Sequence, residues 1–417
     1  MVVTISWAWL AFVAVIMVVY AVRHLVLTGG RLLARQRPTL DEILDSELRP
    51  LSVLVPMHNE GAVAARILDR LTASDYPKDR LEVVVIDDHS DDTTPETLSR
   101  YASEHPFIHP LHRRAGVRGK PAGLNDALAV ASHEHTLVFD ADYEPSGELI
   151  RGLAAAFHDP EVGAVMGRVV PKNTDVNLLT RLLDLERSGG YQVDQQQRES
   201  FRLVPQYGGT VGGFRSPIVR GWGGFDPRVL AEDTDATFQL AIRGWRIAYS
   251  NRAECYEEVP HTWDGRFRQL RRWARGHTQV LARRVVPVLR SRYLTVPQKL
   301  DSLLVLGIYL VPPLLLSGLV ANVILFLGGA AVVVTTTVLG LLVVAYTSVG
   351  TSAPFFQIGA AGLIDGSHQR LLLVPLLTPM YFFNTCAIGL GFLDAIGDYL
   401  RRRTPAWDKT RRLRETA

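Results

Sequence analysis

Long stretches without a charged residue are the first feature of this chain. They run from Ile5 to Val22, from Leu303 to Ile364 and from Leu371 to Leu393. A helix needs roughly 20 apolar residues to cross a hydrocarbon core about 30 Å thick, and the middle run alone has 62 uncharged residues in succession. Because folded soluble proteins rarely contain such runs, the pattern predicts an integral membrane protein.

The first apolar run is typical of an uncleaved anchor. Basic residues follow it instead of preceding it, and no small-residue cleavage site stands before the polar region. Since Lys and Arg mark the cytoplasmic side of a membrane segment, we expect residues 24 to 300 to be cytoplasmic. The localisation predicted is the plasma membrane, with several spans.

The C-terminal runs leave the number of spans open. Residues 303–364 can hold two helices with a break near Gly328-Gly329, whereas the piece 353–364 is too short to span and would lie in the interface or re-enter. Three C-terminal spans would place the tail outside. Its basic residues, Arg401 to Arg403, Lys409 and Arg411, favour the cytoplasmic side.

Residues 50 to 250 alternate short β-branched runs with helical patterns, which predicts an α/β domain with a mostly parallel sheet. The predicted strands are 51–56, 81–88, 135–142 and 161–170. Acidic residues follow the first three: Glu60, then Asp87 and Asp88, then Asp140 and Asp142. Ligands of such sheets sit at the carboxyl ends of the strands, so we expect these carboxylates to share one site.

The composition argues against several functional classes for this protein. A net charge of +3 with 21% charged residues fits neither a nucleic-acid-binding protein nor a disordered chain. Cys255 and Cys386 lie far apart in sequence, and the second lies in a membrane run, so they suggest no disulfide framework and no metal cluster. The region from Arg266 to Arg292 is strongly basic, which is typical of a helix lying against anionic lipid headgroups.

Eight strings carry a family resemblance when they are taken in order. They are VLVPMHNE, VVVIDDHSDDTT, GKPAGLNDAL, VFDAD, GGTVGGFRS, GWGGFD, LAEDTDATFQLAIRGWRIAY and QLRRW. With them the chain resembles the family 2 glycosyltransferases, and most closely the membrane-integrated branch with cellulose, chitin, hyaluronan and poly-N-acetylglucosamine synthases. The resemblance implies a GT-A-type α/β domain with an α-helical transmembrane region. It divides the chain into an anchor (1–27), a cytoplasmic catalytic domain (45–260), amphipathic interface helices (261–300), C-terminal transmembrane helices (301–397) and a basic tail (398–417).

The resemblance also implies how a UDP-sugar would be held. Glu60, Asp87 and Asp88 would contact the nucleoside, although Glu60 and Asp88 could instead cap the helices that follow them. Lys120 would contact the diphosphate, and Asn125 would order its loop. Asp140 and Asp142 would hold Mg²⁺ or Mn²⁺ against the diphosphate, because hard cations take oxygen ligands and leave positions for phosphate and water.

The string LAEDTD implies the catalytic base. Asp233 takes that place by position, and Glu232 is the second choice; the family has Thr where this chain has Ala231, which leaves the acidic pair intact. A base here would accept the proton of the attacking acceptor hydroxyl. The alternative is that Asp233 or Asp235 caps the following helix.

The string RQLRRW aligns Gln269, Arg272 and Trp273 with the Q-x-x-R-W motif of the polymerising branch. Gln269 and Trp273 would bind the acceptor, with the indole under its terminal sugar, while Arg272 would face the pyrophosphate. The tail string WDKT, residues 407–410, sits where related synthases carry a short motif. GGTVGGFR departs from the cellulose enzymes, which puts a cellulose product in doubt, and no PilZ-like domain is expected.

The function expected is therefore inverting, metal-dependent β-glycosyl transfer from a UDP-sugar to a growing polysaccharide, which is then secreted through the membrane helices. N-acetylglucosamine is the first sugar considered and glucose the second. One alternative is single transfer to a lipid acceptor such as polyprenyl phosphate or a glycolipid. Another is an inactive transporter or receptor. Membrane lipids and an accessory secretion or regulatory subunit are further partners, and no nucleic acid is expected.

Overall fold

The computed structural model describes residues 2–34, 44–328, 353–401 and 403. Eight strands form one sheet. In chain order they are β1 Leu51–Met57, β2 Leu81–Asp88, β3 Ile108–Arg113, β4 His135–Val138, β5 Glu144–Pro145, β6 Val162–Pro171, β7 Gly212–Arg215 and β8 Arg246–Glu257.

The described helices surround this sheet and extend beyond it at both ends of the chain. They are α1 Val2–Leu33, α2 Gly61–Thr72, α3 Thr94–Glu104, α4 Lys120–Val130, α5 Leu149–Ala155, α6 Leu178–Ser188, α7 Gln196–Ser200, α8 Ser216–Gly221, α9 Glu232–Ala241, α10 Trp263–Arg290, α11 Val296–Leu306, α12 Val311–Leu327, α13 Ala353–Ile364 and α14 Leu377–Arg401. A π-helical segment, Gly189–Gln195, joins α6 to α7.

The sheet is mixed, in the order β3-β2-β1-β4-β7-β6-β8-β5. β1 pairs in parallel with β2 and β4, β2 with β3, and β6 with β8. β7 lies antiparallel between β4 and β6, and β5 is antiparallel to β8. The predicted strand 135–142 ends at Val138, because the amide of Asp140 donates to the Thr210 hydroxyl and the amide of Tyr143 turns back to the carbonyl of Asp140.

The continuous apolar runs in β1 and β2 follow from burial of both faces of the sheet. Val53 and Val83 belong to the core on one face, whereas Leu54 and Val84 belong to the core on the other. The first core also contains side chains of α2, α3 and α5, and the second contains side chains of α4, α9 and α10. With both faces covered, functional groups are left at the edges where the strands end.

The basic helix α10 packs along α14 and α9. Arg271 pairs with Asp394 at 2.5 Å, and Arg284 pairs with Asp235 at 2.6 Å. The exposed Arg268 pairs with Asp264 of its own helix at 2.8 Å. These basic side chains therefore have carboxylate partners within the protein. The sequence-based expectation was different, since it placed this basic helix against anionic lipid headgroups.

Within the described residues, three stretches are long and apolar enough to cross a membrane: Val2–Leu33, Ile308–Leu327 and His368–Arg401. α12 ends at Leu327, next to the break predicted at Gly328-Gly329, and residues 329–352 of that apolar run lie outside the described residues. The short α13 lies against the protein, where Ile358 packs with Leu182 and Ala361 packs with Val193. The tail string WDKT lies outside the described residues.

A buried ion network attaches the N-terminal helix to the α/β domain. Arg23 of α1 bonds Asp194 of the π-helical segment at 2.6 Å and Asp301 of α11 at 2.8 Å. Arg198 of α7 bonds Asp301 at 3.2 Å. Next to Arg23, His24 lies 2.5 Å from the side-chain oxygen of Gln357 in α13. The first and last parts of the chain therefore meet on α6, α7 and the segment between them.

Candidate active site

One cavity of about 1380 Å³ opens at the carboxyl ends of β1, β2 and β4 and reaches the apolar helices that are long enough to cross a membrane. Ten of the twelve side chains predicted to form the site line it, whereas Asp87 and Asn125 do not. The ten are Glu60, Asp88, Lys120, Asp140, Asp142, Glu232, Asp233, Gln269, Arg272 and Trp273.

Two interlocked loops, which follow β1 and β2, build the outer end of the cavity. The amide of Asn59 donates to the Ser90 hydroxyl at 3.0 Å, and the amide of Asp91 donates to the Asn59 side chain at 2.9 Å. Asn59 and His89 both adopt left-handed backbone conformations, with φ of 53° and 60°. Such conformations are unfavourable outside glycine and persist where surrounding bonds hold them, so this wall is formed before any ligand arrives.

The two aspartates that end β2 have different surroundings. Asp87 is fully buried and accepts bonds from the Ser90 amide and Arg114, with His112 Nδ1 2.8 Å away. Burial alone would raise the pKa of Asp87, but the bonds from His112 and Ser90 lower it below its ordinary value. Asp87 thus supports the loop from inside the protein, whereas Asp88 lies in the cavity wall.

Lys120 begins α4 and reaches toward the carboxylates. Its Nζ lies 2.6 Å from Asp140 Oδ1 and 4.0 Å from Glu232 Oε1. Burial alone would lower the pKa of Lys120, but the charges of Asp140 and Glu232 raise it above its ordinary value. The amine is therefore a fixed positive charge beside two carboxylates.

Asn125, one turn further along α4, supports a different loop from the one expected. Its side chain donates to the carbonyl of Phe225 and accepts from the amide of Phe225, both at 2.8 Å. Gly224 has a φ of 80°, and a Cβ there would lie 2.3 Å from the Asn125 oxygen. Asn125 therefore fixes the loop of the GWGGFD string.

Asp140 and Asp142 lie in the same cavity wall, just past β4. Two carboxylates with phosphate and water as further ligands suit a hard divalent cation, and Asp140 and Asp142 line the same cavity as Lys120. No cluster of three or more His, Cys, Asp or Glu ligands occurs within the described residues. Asp140 and Asp142 could supply two oxygen ligands to such a cation, which leaves its remaining positions for other donors.

Glu232 and Asp233 stand in the first turn of α9. Ala231 occupies the N-cap, so neither acid caps this helix in the usual way, and Asp235 is held by Arg284. Asp233 Oδ1 accepts the amide of Thr234 at 2.6 Å. Burial raises the pKa of Glu232 to about 7, with the neighbouring Asp233 adding to the rise and Lys120 opposing it.

Helix α10 forms a further part of the cavity wall with Gln269, Arg272 and Trp273. Gln269 accepts a bond from Arg266 at 3.0 Å. The Trp273 ring has the guanidinium carbons of Arg187 and Arg266 at 5.3 and 5.8 Å from its centroid. Part of the indole surface is therefore covered by cation–π contacts, which the sequence motif alone did not indicate.

Sequence reasoning missed two side chains of this region, Arg187 and His277. Arg187 of α6 joins the Trp273 ring to Glu257, which it bonds at 2.7 Å. His277 lies one turn after Trp273, stacks on Tyr309 with 4.4 Å between ring centroids, and has Nδ1 3.4 Å from the Thr234 hydroxyl. The signal for His277 was its spacing of four residues from Trp273, which places both on one helical face.

Comparison with known proteins gives consistent matches. The family model described as glycosyltransferase like family 2 matches residues 49–276. The probable glycosyltransferase YdaM of Bacillus subtilis is 33% identical over 239 residues, which are 56% of this chain and 57% of YdaM. Glucomannan 4-beta-mannosyltransferase 2 of Arabidopsis thaliana is 27% identical over 60% of this chain and 49% of its own. Beta-monoglucosyldiacylglycerol synthase of Nostoc sp. is 32% identical over 60% of this chain and 53% of its own.

These matches are partial, since the chain spans about half the length of the curated relatives it matches. Among solved structures, mannosyltransferase PcManGT from Pyrobaculum calidifontis, in complex with GDP-mannose and Mn²⁺, is similar with a TM-score of 0.61 at 24% identity. That likeness covers 87% of this chain and 98% of PcManGT. It confirms the predicted fold class, a GT-A-type α/β domain with apolar helices.

Proposed function

The chain belongs to the family 2 glycosyltransferases, and from that premise we propose that it transfers a sugar with inversion from a nucleotide-sugar to an acceptor that enters from the membrane side. The observation that carries the proposal is the cavity of about 1380 Å³. It joins a cation-and-carboxylate end, at Lys120, Asp140 and Asp142, to the first turn of α9 and then to the membrane helices.

The donor proposed is a UDP-sugar. Its diphosphate would lie between Lys120 and Arg272, both of which face the cavity, while the nucleoside would lie against Glu60 and Asp88. Asp140 and Asp142 would hold Mg²⁺ or Mn²⁺, which supplies positive charge against the leaving nucleoside diphosphate. Lys120 lies 2.6 Å from Asp140, so donor binding would redistribute this pair.

Asp233 is the proposed base. It lines the cavity beside Trp273 and His277, and the Thr234 amide holds one of its carboxylate oxygens. A hydroxyl that attacks the anomeric carbon directly needs one group to take its proton. A retaining double displacement would need a second carboxylate as nucleophile. Glu232, whose pKa near 7 leaves it largely protonated in mild acid, is the second candidate.

A polysaccharide is the acceptor proposed first. Gln269, Arg272 and Trp273 line the same cavity as Asp233, and there they would bind the end of a growing chain. The membrane helices would then carry the product outward. The Arabidopsis relative, whose name describes glucomannan mannosylation, is consistent with a polymer.

A lipid acceptor is the second candidate, and a specific observation favours it. Ile308 and Tyr309 at the start of a candidate span, and Ile358 of α13, also line the cavity. A lipid headgroup could therefore reach Asp233 while its acyl chains stay among the membrane helices. The Nostoc relative is named for synthesis of a glycolipid, which supports the same acceptor class.

The location proposed is the plasma membrane, crossed several times, with the α/β domain in the cytoplasm where nucleotide-sugars are made. An accessory secretion or regulatory subunit would fit a polymer-secreting enzyme. The transporter and receptor alternative finds less support, because the family's acidic residues and Lys120 converge on one cavity.

The test is a donor and acceptor panel with the purified protein in nanodiscs. UDP-N-acetylglucosamine, UDP-glucose and GDP-mannose are supplied with Mg²⁺ or Mn²⁺, with and without diacylglycerol, and nucleotide release and product size are measured. A long product made from one donor supports the polysaccharide proposal. A single sugar on diacylglycerol supports the lipid proposal, and no transfer from any donor argues against both.

A further inference from the structure

We infer that Arg113 sets the affinity for the donor nucleotide without touching it, by holding the loop 114–119 against Asp88. This inference rests on the proposed function, since it assigns a positioning residue to the same donor site. Arg113 is the last residue of β3 and does not appear among the described residues that line the cavity. Sequence reasoning missed it because β3 itself was not predicted.

The guanidinium of Arg113 is almost fully buried, and its three nitrogens bond to three separate parts of the chain. Nη1 bonds Asp88 at the end of β2, Nε bonds Asp126 of α4 at 2.7 Å, and Nη2 donates to the carbonyl of Val117 at 2.8 Å. A planar fork with five N–H donors can satisfy three acceptors in different directions, and an ammonium group on a flexible stem cannot reproduce that arrangement.

The loop that Arg113 holds is exposed and contains two glycines with positive φ, Gly116 at 92° and Gly119 at 115°. Val117, Arg118 and Gly119 all line the cavity. Asp88 holds the far end of the loop, because its Oδ2 accepts the Gly119 amide at 2.7 Å. Lys120 follows directly and opens α4.

Arg113 and Asp88 therefore act as one clamp on the loop that leads into Lys120. Oδ1 of Asp88 is already bonded to Arg113 and lies 2.8 Å from His89 Nδ1. The carboxylate is thus oriented by protein donors before a nucleotide arrives. Without the Arg113 guanidinium, the Val117 carbonyl would lose its hydrogen-bond donor and the buried Asp88 carboxylate would lose its cation. The loop 114–119 could then move, so the distance between Asp88 and Lys120 would no longer be fixed.

The experiment compares Arg113→Lys with Arg220→Lys in the full-length protein. Arg220 is a matched control because its guanidinium bonds the carbonyls of Leu128 and Ala131 at the other end of α4, away from the cavity. Binding of UDP and of GDP is measured by calorimetry with Mg²⁺, and KM for donor, KM for acceptor, kcat and Tm are measured separately.

We expect Arg113→Lys to weaken nucleotide binding and to raise the donor KM by about tenfold or more, the usual cost of losing a buried charged hydrogen bond. The acceptor KM should stay within about twofold, and Arg220→Lys should change neither constant beyond that factor. A drop in kcat and Tm with an unchanged nucleotide Kd, or an equal effect of Arg220→Lys, would overturn the inference. Nucleotide binding without sugar transfer in the wild type would defeat the proposed function and leave this inference standing, and a wild type that binds neither UDP nor GDP would defeat both.

Discussion

The two ends of the cavity are built in different ways. The donor end is made of loops that directly follow β1, β2 and β4, and its side chains are charged and bonded to one another, as with Lys120 and Asp140. The opposite end, called the membrane end here for its apolar helices, is assembled from α1, α10, α13, α14 and the short segment Ile308–Leu310 before α12. Its wall includes the aromatic and amide side chains of Tyr309, Tyr381 and Gln357 beside the buried Arg23–Asp194 pair.

The two ends differ because a diphosphate and an acceptor need different surroundings. A diphosphate needs fixed charges at short range, and these lie on consecutive strand ends of one sheet. An acceptor needs shape and stacking, which can come from any neighbouring helix. The donor end should therefore be sensitive to a change of a single charge, and the membrane end to a change of surface.

The largest effect should come from the donor end. Asp142→Asn is expected to lower kcat/KM about a thousandfold to ten thousandfold, because metal-assisted charge stabilisation contributes several kcal/mol. EDTA should abolish sugar transfer by the wild type until Mg²⁺ or Mn²⁺ is added back. The exposed Asp79, remote from the cavity, supplies a control in Asp79→Asn. Full turnover in EDTA would remove the metal from the mechanism.

The next largest effect is expected at Asp233, which lies between the donor end and the membrane end. Asp233→Asn should lower transfer by about a hundredfold to ten thousandfold, the range for loss of a general base, with UDP affinity unchanged. Asp235→Asn two residues later disturbs only the Arg284 pair and should leave transfer close to wild type. If UDP affinity fell together with turnover in Asp233→Asn, Asp233 would belong to the donor end, and Glu232 would become the base.

A smaller effect is expected at the membrane end. Trp273→Ala removes a ring that would support an acceptor sugar and that also carries the Arg187 guanidinium, so transfer should slow by about tenfold to a hundredfold. Hydrolysis of the donor by water should change much less, which lowers the ratio of sugar transferred to UDP released. Trp263 of the same helix packs on Phe383 with 4.9 Å between centroids, and Trp263→Ala should leave that ratio unchanged. An unchanged ratio in Trp273→Ala would make the residue a structural partner of Arg187.

The same contrast explains how far sequence could lead. β1 and β2 were predictable because both faces are buried and their residues form unbroken apolar runs. β3 and β7 were missed, since IHPLHR carries two histidines and a proline and GGFR is short and rich in glycine. Four of the five carboxylates expected at one site, Glu60, Asp88, Asp140 and Asp142, line the cavity, because local sequence fixes their positions relative to the sheet. Asp87 is the exception, since its side chain is fully buried behind the loop.

The membrane end resisted prediction for a physical reason. Tyr309 reaches His277, and Gln357 reaches His24, only after helices from distant parts of the chain have packed together. No spacing in the sequence encodes such contacts. Arg187 shows the same limit, because its partners Trp273 and Glu257 lie on α10 and β8.

The smallest effect concerns Glu232, which stands between the two ends, 4.0 Å from Lys120 and next to Asp233. Burial raises its pKa to about 7 from an ordinary value near 4.5, so the folded protein keeps a proton there that the unfolded chain releases at lower pH. Its contribution to stability is therefore greatest below the unfolded pKa and is lost as the pH rises from about 4.5 to 7. Glu232→Gln imitates the protonated form and should leave stability nearly unchanged at pH 4.5 while raising it at pH 8 by about 3 kcal/mol, or roughly 5 °C in Tm. Tryptophan fluorescence melts of both proteins across this range measure the difference. Parallel melting curves at all pH values would mean that Lys120 keeps Glu232 ionised, which would join this carboxylate to the charged donor end and make it the stronger competitor of Asp233 for the acceptor proton.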